Sequence, residues 1–326
     1  MIERTLQIGR LKLSEGRVLK GVEQRVTIYG EPNAQRSNIV LVPHALTGSG
    51  RVVEWWSGLL GRERLIDPQH WCIVGINALG GCYGSTGPAS LAPDGAPYGD
   101  RFPTITVQDM VSAQARALEQ LGFEQLALVI GGSLGGMQAL QWALDFPKRV
   151  ARAVVVGASD RLSAMGIALN TIQRECIALD PVDGLGTARK LAILTYKSDA
   201  LLRERHGRKP DRSGHERFDI EGYLAHQAGR FERRMDPISY LRLSRAMDLF
   251  DPRDQAIIDR SPELTFVGIS SDWLFLPHDV RAAAERFAEL GFLTQYLELD
   301  SGHGHDAFLA EPQALALLLE NLAAPR

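Results

Sequence analysis

The sequence lacks several features that mark particular classes of protein. It has three cysteines, Cys72, Cys82 and Cys176, which are too few and too scattered for a disulfide framework or a zinc site. No apolar run approaches the roughly 20 residues that cross a bilayer, and residues 1–5 show no signal-peptide core. The formal net charge of −3 gives no reason to expect nucleic acid or an anionic membrane surface as a partner. These absences favour a protein of the reducing cytoplasm.

The chain does contain a regular alternation of aliphatic strands and helices. Its 326 residues suffice for one large α/β domain or for a core with a smaller insertion. Strands are predicted at 18–29, 39–42, 71–76, 126–130, 150–157, 264–269 and 295–299, and helices at 106–121, 137–144, 281–290 and 312–322. This alternation predicts a mostly parallel sheet with helices on both faces.

Residues 161–255 break that rhythm. They are helical and charged in character, with a basic run at 203–209, and no convincing strand pattern occurs among them. Most of these charges are expected to form a solvated helix face. We interpret this segment as a helical lid inserted between two parts of an α/β core, 1–160 and 256–326.

A glycine-rich turn at 131–135 is the strongest chemical signal in the chain. An aliphatic strand ends at Gly-Gly-Ser-Leu-Gly, and a segment of helical composition follows directly. Strand, G-x-S-x-G and helix in this order indicate a nucleophile elbow that presents the Ser133 hydroxyl. The glycines are needed because the serine sits in strained backbone. The alternative is a glycine-rich turn with an incidental serine.

A serine nucleophile needs a base, and the base needs an orienting carboxylate. Asp272 follows the late strand at 264–269, where the acid is expected after an elbow of this type. Two of the eight histidines, His303 and His305, follow the last strand. Taken alone, Asp272 could be a turn residue and each histidine a surface residue, but their order favours a catalytic triad.

The oxyanion of an acyl-transfer intermediate needs two N–H donors. One is the backbone N–H of Leu134, directly after the nucleophile. The second should come from the loop after an early strand, which here reads His-Ala-Leu-Thr-Gly at 44–48. We assign it to the backbone N–H of Leu46.

Six motifs resemble the homoserine O-acetyltransferase family of α/β-hydrolase-fold enzymes. They are His-Ala-Leu-Thr-Gly at 44–48, Gly-Gly-Cys-Tyr-Gly-Ser-Thr-Gly-Pro at 80–88, Gly-Gly-Ser-Leu-Gly-Gly-Met-Gln-Ala-Leu at 131–140, Leu-Thr-Tyr-Lys-Ser at 194–198, Ser-Asp-Trp-Leu-Phe at 271–275 and Gly-His-Asp-Ala-Phe-Leu at 304–309. Together they span nearly the whole chain. The resemblance implies an α/β-hydrolase fold with a mostly parallel eight-stranded sheet, flanking helices and a helical lid.

The resemblance also implies ping-pong acyl transfer in methionine biosynthesis, with no permanently bound cofactor and no metal. Acetyl-CoA, or succinyl-CoA, would acylate Ser133, and L-homoserine would then accept the acyl group. The family motif selects His305 over His303 as the base. It further implies that Asp306 contacts the amino group of the acceptor and that Arg189 pairs with its carboxylate. Members of the family are commonly homodimers, and we expect the same here.

Three features depart from the family pattern. The segment 180–186 is shorter than usual, Leu134 replaces a methionine, and Lys197 replaces an arginine. The short segment could reshape the acyl-CoA entrance or the subunit contact, so it bears on the donor and on Arg189. The choice between acetyl and succinyl donors and that between homoserine and serine acceptors stay open. A serine esterase with the same triad is the main alternative. A non-catalytic binding scaffold is a weaker one, because the complete triad order argues against it.

Overall fold

An eight-stranded sheet forms the centre of the computed structural model, which describes residues 1–180, 182–212 and 214–321. The strands of the protein are β1 Ile2–Lys12, β2 Val18–Tyr29, β3 Ile39–Leu41, β4 Cys72–Ile76, β5 Leu128–Gly132, β6 Arg152–Val156, β7 Pro210–Asp211, β8 Gly214–Phe218, β9 Glu263–Ile269 and β10 Thr294–Leu299. The main sheet has the order β1-β2-β4-β3-β5-β6-β9-β10. Only β2 runs antiparallel to its neighbours within it. The predicted mostly parallel eight-stranded sheet is therefore confirmed.

Helices cover both faces of this sheet. They are α1 Val52–Trp55, α2 Val107–Gln120, α3 Leu134–Asp145, α4 Ala164–Leu179, α5 Gly184–Tyr196, α6 Asp199–Arg205, α7 Asp219–Glu232, α8 Pro237–Asp248, α9 Pro277–Glu289, α10 Ala307–Ala310 and α11 Pro312–Leu318. The predicted last helix ends at Leu318 rather than Leu322, and Leu322 lies outside the described residues. Within the described ranges, no helix is both long and apolar enough to cross a bilayer.

The central strands are aliphatic because both of their faces are covered. Every residue of β3, β4, β5 and β6 is buried. Neighbouring residues point to opposite sides, so Val129 and Val155 belong to one apolar layer and Ile130 and Val154 to the other. This arrangement explains continuous aliphatic runs in place of alternating ones. It also brings the carboxyl ends of the parallel strands to one edge, where the predicted site residues follow.

Helix α2 lies within the segment 106–121 that was predicted to be helical, and it begins with a reciprocal pair of hydrogen bonds. The Thr106 hydroxyl accepts a hydrogen bond from the Asp109 N–H at 3.1 Å, and the Asp109 carboxylate accepts one from the Thr106 N–H at 2.8 Å. This reciprocal pair is a capping box. Asp109 also accepts the Ser14 N–H at 2.7 Å, which ties the turn after β1 to the helix. Gly122 follows the helix with a φ of 70°.

The segment 161–255 contains helices α4 to α8, as predicted, but the expectation that it contains no strand is wrong. β7 and β8 form an antiparallel two-stranded ribbon. Pro210 and Phe218 at its ends are exposed, so the ribbon buries no apolar face. The alternation of apolar and polar residues that identifies a half-buried strand is consequently missing. The boundaries of the insertion at 161 and 255 stay a prediction.

Replacing Thr106 by alanine should lower the free energy of unfolding by about 1 kcal/mol, because the cap of α2 is lost. The midpoint of urea denaturation measures this change. Ser112→Ala, inside the same helix, is the matched control and should leave the midpoint nearly unchanged. Equal losses in the two variants would contradict the capping role.

Candidate active site

Ser133 lies at a strained turn between β5 and α3. Its φ is 56° and its ψ is −125°, in the region that side-chain-bearing residues rarely adopt. A Cβ on Gly131 would lie 2.3 Å from the Gly135 backbone, and a Cβ on Gly135 would lie 2.3 Å from the Pro43 carbonyl oxygen. The Ser133 N–H donates to the Val156 oxygen at 2.9 Å, which anchors the turn to β6. The turn has the strained backbone and the close glycine approaches that were predicted for a nucleophile elbow.

The predicted acid and base meet above the carboxyl ends of β9 and β10. His305 Nδ1 lies 2.6 Å from Asp272 Oδ2, and both residues are 2% exposed. Asp272 Oδ1 accepts the N–H groups of Leu274 and Phe275 at 2.8 and 3.0 Å. These bonds fix the orientation of the carboxylate toward the imidazole.

The structure separates the two candidate histidines. His303 Nδ1 lies 3.2 Å from Glu311 Oε1, at the rim of the loop, whereas His305 faces Asp272. The geometry thus agrees with the selection of His305 that the family motif implied.

The His305 ring packs beside the elbow. Its centroid lies 5.4 Å from that of Phe275 and 5.7 Å from that of Phe308. The Phe308 ring also covers Gly132, where a Cβ would lie 2.5 Å from it. His305 Nε2 is buried without a hydrogen-bond partner among the described residues, so the bond to Ser133 is not formed here. Catalytic hydrogen bonds are often long or absent until substrate binds.

The environment of His305 changes its proton affinity. Burial disfavours the charged imidazolium, but the Asp272 carboxylate, with a contribution from Asp306, outweighs this effect. The net result is a pKa of His305 raised above its ordinary value of 6.5. A raised pKa makes the neutral imidazole a stronger base toward a hydroxyl.

The two predicted oxyanion donors flank the serine. Leu46 and Ser133 line the same small cavity, and Leu134 begins α3. Neither the Leu46 nor the Leu134 N–H donates to another group within the described part of the chain. A backbone N–H at a helix N-terminus also carries the positive end of the helix dipole. The arrangement leaves two N–H groups available near the nucleophile.

A buried polar relay that the sequence analysis missed ties these donors together. Gln138 Nε2 donates to the Leu134 oxygen at 3.1 Å and to the His44 oxygen at 3.3 Å. Gln114 donates to Gln138 at 2.7 Å, and the Trp142 indole donates to Gln114 at 2.8 Å. The sequence offered only a weak signal, a glutamine among the apolar residues of each helix, and the structure shows that the side chains of Gln114 and Gln138 are fully buried. The relay holds the elbow helix and the oxyanion loop at a fixed separation.

A larger cavity of about 500 Å³ opens beside the triad, and Arg189 lines it. The Arg189 guanidinium lies 5.5 Å from the Tyr196 ring and 4.9 Å from the Phe231 ring. Its Nε and Nη1 atoms are buried and have no hydrogen-bond partner among the described residues. A half-buried guanidinium with two unpartnered nitrogens is suited to an anionic ligand, and a carboxylate matches its fork of N–H groups.

Asp306 lines the same cavity but already has a protein partner. Its Oδ2 lies 2.8 Å from Lys197 Nζ, and their side chains are 26% and 14% exposed. The sequence predicted no role for Lys197, which was noted only because it replaces an arginine of the family pattern. Asp306 would therefore have to share its carboxylate between this lysine and the amino group of an acceptor.

The end of α5 is clamped onto both catalytic loops. The Trp273 indole donates to the Lys197 oxygen at 3.2 Å, and the Ser198 hydroxyl donates to the Gly302 oxygen. A Cβ on Gly304 would lie 2.7 Å from the Ser198 nitrogen. Arg189 lies on this same helix, so the cavity and the triad share one rigid support.

In the part of the chain that the structure describes, no His, Cys, Asp and Glu side chains are grouped to hold a metal ion.

Comparison with known proteins identifies the family and the fold. The family model for the α/β-hydrolase fold matches residues 38–312. A homoserine O-succinyltransferase of Bordetella pertussis is 39% identical over 342 aligned positions, which cover 92% of this chain and 82% of that protein. The chain belongs to the homoserine O-acyltransferase family.

Solved structures show the same fold over nearly the whole chain. A homoserine O-acetyltransferase from Bacillus anthracis has a TM-score of 0.88 at 20% identity, covering 99% of this chain and 96% of its own. Esterase E22 has a TM-score of 0.89 at 24% identity, covering 99% of this chain and 100% of its own. At these identities the likeness establishes the α/β-hydrolase fold alone.

Replacing Asp306 by asparagine should move the acid limb of the acylation rate to lower pH. His305 acts as a base only when neutral, so the rate falls as pH drops through its pKa. Asp306 is one of the carboxylates that raise this pKa, and removing its charge lowers the pKa. Stopped-flow acylation by an activated ester across the acid range measures the shift. Asp300→Asn, which changes an exposed carboxylate of the same loop, should leave the limb in place.

Proposed function

We propose that the protein is an acyl-CoA-dependent homoserine O-acyltransferase and that succinyl-CoA is its preferred donor. The observation that supports this proposal most directly is the half-buried Arg189, whose buried Nε and Nη1 have no hydrogen-bond partner among the described residues and which lines the same cavity as the Asp306 carboxylate, next to the triad. An amino acid presents one carboxylate and one ammonium group, and these two side chains match them. Acetyl-CoA as donor, L-serine as acceptor and a serine esterase are the alternatives.

In the first half-reaction, Ser133 attacks the thioester carbonyl. His305 Nε2 accepts the Ser133 proton while Asp272 stabilises the resulting imidazolium. The N–H groups of Leu46 and Leu134 bind the oxyanion of the tetrahedral intermediate. When the intermediate collapses, the thiol of CoA leaves with the proton from His305, and the acyl group remains as an ester on Ser133.

In the second half-reaction, the acceptor hydroxyl takes the place of the thiol. Arg189 binds the acceptor carboxylate and Asp306 its ammonium group, which places the hydroxyl near His305. The imidazole removes the hydroxyl proton as the oxygen attacks the acyl ester. The ester bond to Ser133 then breaks, and His305 returns the proton to the serine.

Transfer instead of hydrolysis requires that little water reach the acyl ester. The cavity that Ser133 lines has a volume of about 10 Å³, which is close to the minimum for a single water molecule. Leu162, Met247 and Leu274 contribute apolar walls to it. This confined space favours an acceptor that arrives with its own anchoring charges.

Two observations favour succinyl over the acetyl donor that the sequence motifs resembled. The Bordetella pertussis relative is named a homoserine O-succinyltransferase. Arg230 and Arg234 also line the larger cavity. Arg234 uses only Nη1 for its bonds to the Thr47 oxygen and the Tyr83 hydroxyl, at 2.7 and 2.9 Å. Its other N–H groups can bind the free carboxylate of a succinyl group, which an acetyl group lacks.

One assay tests the proposal, with CoA release measured from succinyl-CoA and acetyl-CoA in the presence of L-homoserine, L-serine or neither. We expect rapid release only with homoserine and a higher kcat/KM for succinyl-CoA. Preference for acetyl-CoA would reassign the donor. Efficient cleavage of simple esters without acceptor dependence would instead identify a hydrolase.

Ser133→Ala should abolish the acyl-enzyme that intact-mass analysis detects after incubation with donor alone, because no other hydroxyl occupies the elbow. Ser112→Ala is the control and should retain the adduct. An adduct that persists in Ser133→Ala would remove the serine from its role as nucleophile.

Arg189→Met should raise the KM for homoserine roughly 10- to 100-fold, since a charge-assisted hydrogen bond contributes about 1.5–3 kcal/mol. The KM for the acyl donor should change little. Lys190→Met, at the adjacent position of α5, is the matched control. An unchanged acceptor KM in Arg189→Met would show that the carboxylate binds elsewhere.

The homodimer and the cytoplasmic location stay predictions.

A further inference from the structure

His44 is a buried histidine outside the triad. It lies in the loop after β3 and is 2% exposed. Its Nδ1 lies 2.8 Å from the Ala45 carbonyl oxygen, and its Nε2 lies 2.9 Å from the Ala78 nitrogen, just after β4. The ring therefore connects the oxyanion loop to the end of the neighbouring strand.

The partners of His44 determine where its proton is. The Ala78 N–H can only donate, so Nε2 must accept through its lone pair. The proton of the neutral ring then resides on Nδ1, where it is donated to the Ala45 oxygen. Burial lowers the pKa of His44, which keeps the ring neutral. Both ring nitrogens thus have matching partners in one tautomer only.

The Ala45 carbonyl controls the direction of the next N–H group. Its oxygen accepts a second hydrogen bond, from the Gly48 N–H at 2.9 Å, which closes a turn with Leu46 at its second position. The peptide between Ala45 and Leu46 is planar and trans, so its N–H points opposite to its C=O. Two hydrogen bonds to the Ala45 oxygen therefore set where the Leu46 N–H points.

Other contacts restrain different peptide groups of this loop. Gln138 binds the His44 oxygen, and Arg234 binds the Thr47 oxygen. Within the described residues, the only side chain that binds the Ala45 oxygen is that of His44. The orientation of the peptide that ends in the Leu46 N–H depends on this ring.

We propose that His44 is a positioning residue that orients the Leu46 N–H toward the oxyanion through its bond to the Ala45 carbonyl. This inference rests on the proposed role of Leu46 in acyl transfer. His44 does not itself touch the reacting atoms. Its effect should appear in the rate of acylation and not in the affinity for the acyl donor, because the oxyanion exists only in the transition state and intermediate.

Two substitutions separate this role from a purely structural one. In His44→Asn, the side-chain amide occupies the position of Nδ1 and can still donate to the Ala45 oxygen. In His44→Gln, the amide occupies the position of Nε2 and can still accept from the Ala78 N–H. A structural link between the strands would be preserved better by glutamine, whereas orientation of the oxyanion donor would be preserved better by asparagine.

The experiment measures burst acylation by p-nitrophenyl acetate, with thermal unfolding recorded for each variant. His44→Gln should acylate roughly 100-fold more slowly than wild type at a similar donor KM, the loss typical of one displaced oxyanion donor. His44→Asn should stay within about tenfold of wild type. His278→Asn and His278→Gln, at an exposed histidine, should match wild type. An unchanged rate in His44→Gln, or an equal loss in both His44 variants, overturns the proposal.

If neither His44 variant folds, the tautomer of His44 itself decides, read in a variant that keeps His44 and lacks the three histidines whose Nδ1 faces a carboxylate. Nitrogen-15 spectra of a His206→Asn/His303→Asn/His305→Asn variant should retain one neutral histidine protonated on Nδ1 that does not titrate in the mildly acidic range. Its absence would overturn the proposal.

Because the ester burst needs no amino acid, an enzyme that acylates normally but ignores homoserine would refute the proposed acceptor and leave the role of His44 intact.

Discussion

Three stretches of backbone meet at the nucleophile without side chains between them. Gly131 faces Gly135 across the elbow, and Gly135 faces the Pro43 carbonyl of the oxyanion loop. A single Cβ at either glycine would approach backbone atoms to 2.3 Å, so it would force these stretches apart. The strained backbone of Ser133 and the placement of both oxyanion donors depend on this contact. The parallel strands β3 and β5, which pair directly, supply the rigid base that supports it.

The lid contributes to chemistry as well as to cover. Helix α5 carries Arg189 near its middle and ends at Tyr196, whose ring lies 5.7 Å from that of His305. The following residues, Lys197 and Ser198, bind Asp306 and Gly302. Movement of α5 would therefore displace Arg189 and the loop of His305 together. This coupling gives a physical reason for the proposed acceptor site to use helix α5 while the proposed nucleophile, Ser133, follows a strand of the sheet.

The sequence predicted those features of the fold and site that depend on residues close together along the chain. The elbow at Ser133 and the aliphatic central strands each follow from short-range constraints that a few residues reveal. The acid and two candidate bases were found because the ends of parallel strands share one edge, and the resemblance to the family then selected His305. In contrast, β1 is mostly exposed and the ribbon of β7 and β8 buries little, so neither carries a hydrophobic pattern. The Gln138 relay and the ion pair of Lys197 with Asp306 are contacts between distant segments, which periodicity and spacing do not encode.

The two buried guanidinium nitrogens of Arg189 that have no hydrogen-bond partner also have a thermodynamic consequence. Buried N–H donors without an acceptor lower the stability of the empty protein. A ligand that binds only the folded state raises the free energy of unfolding. Once the ligand concentration exceeds its Kd, this increase grows with the logarithm of that concentration. The carboxylate of a bound acceptor would give the Arg189 nitrogens a partner and so remove this loss of stability. The binding itself would also stabilise the folded state. The abundance of that amino acid would thereby influence how long the enzyme survives unfolding and proteolysis, in addition to how fast it turns over.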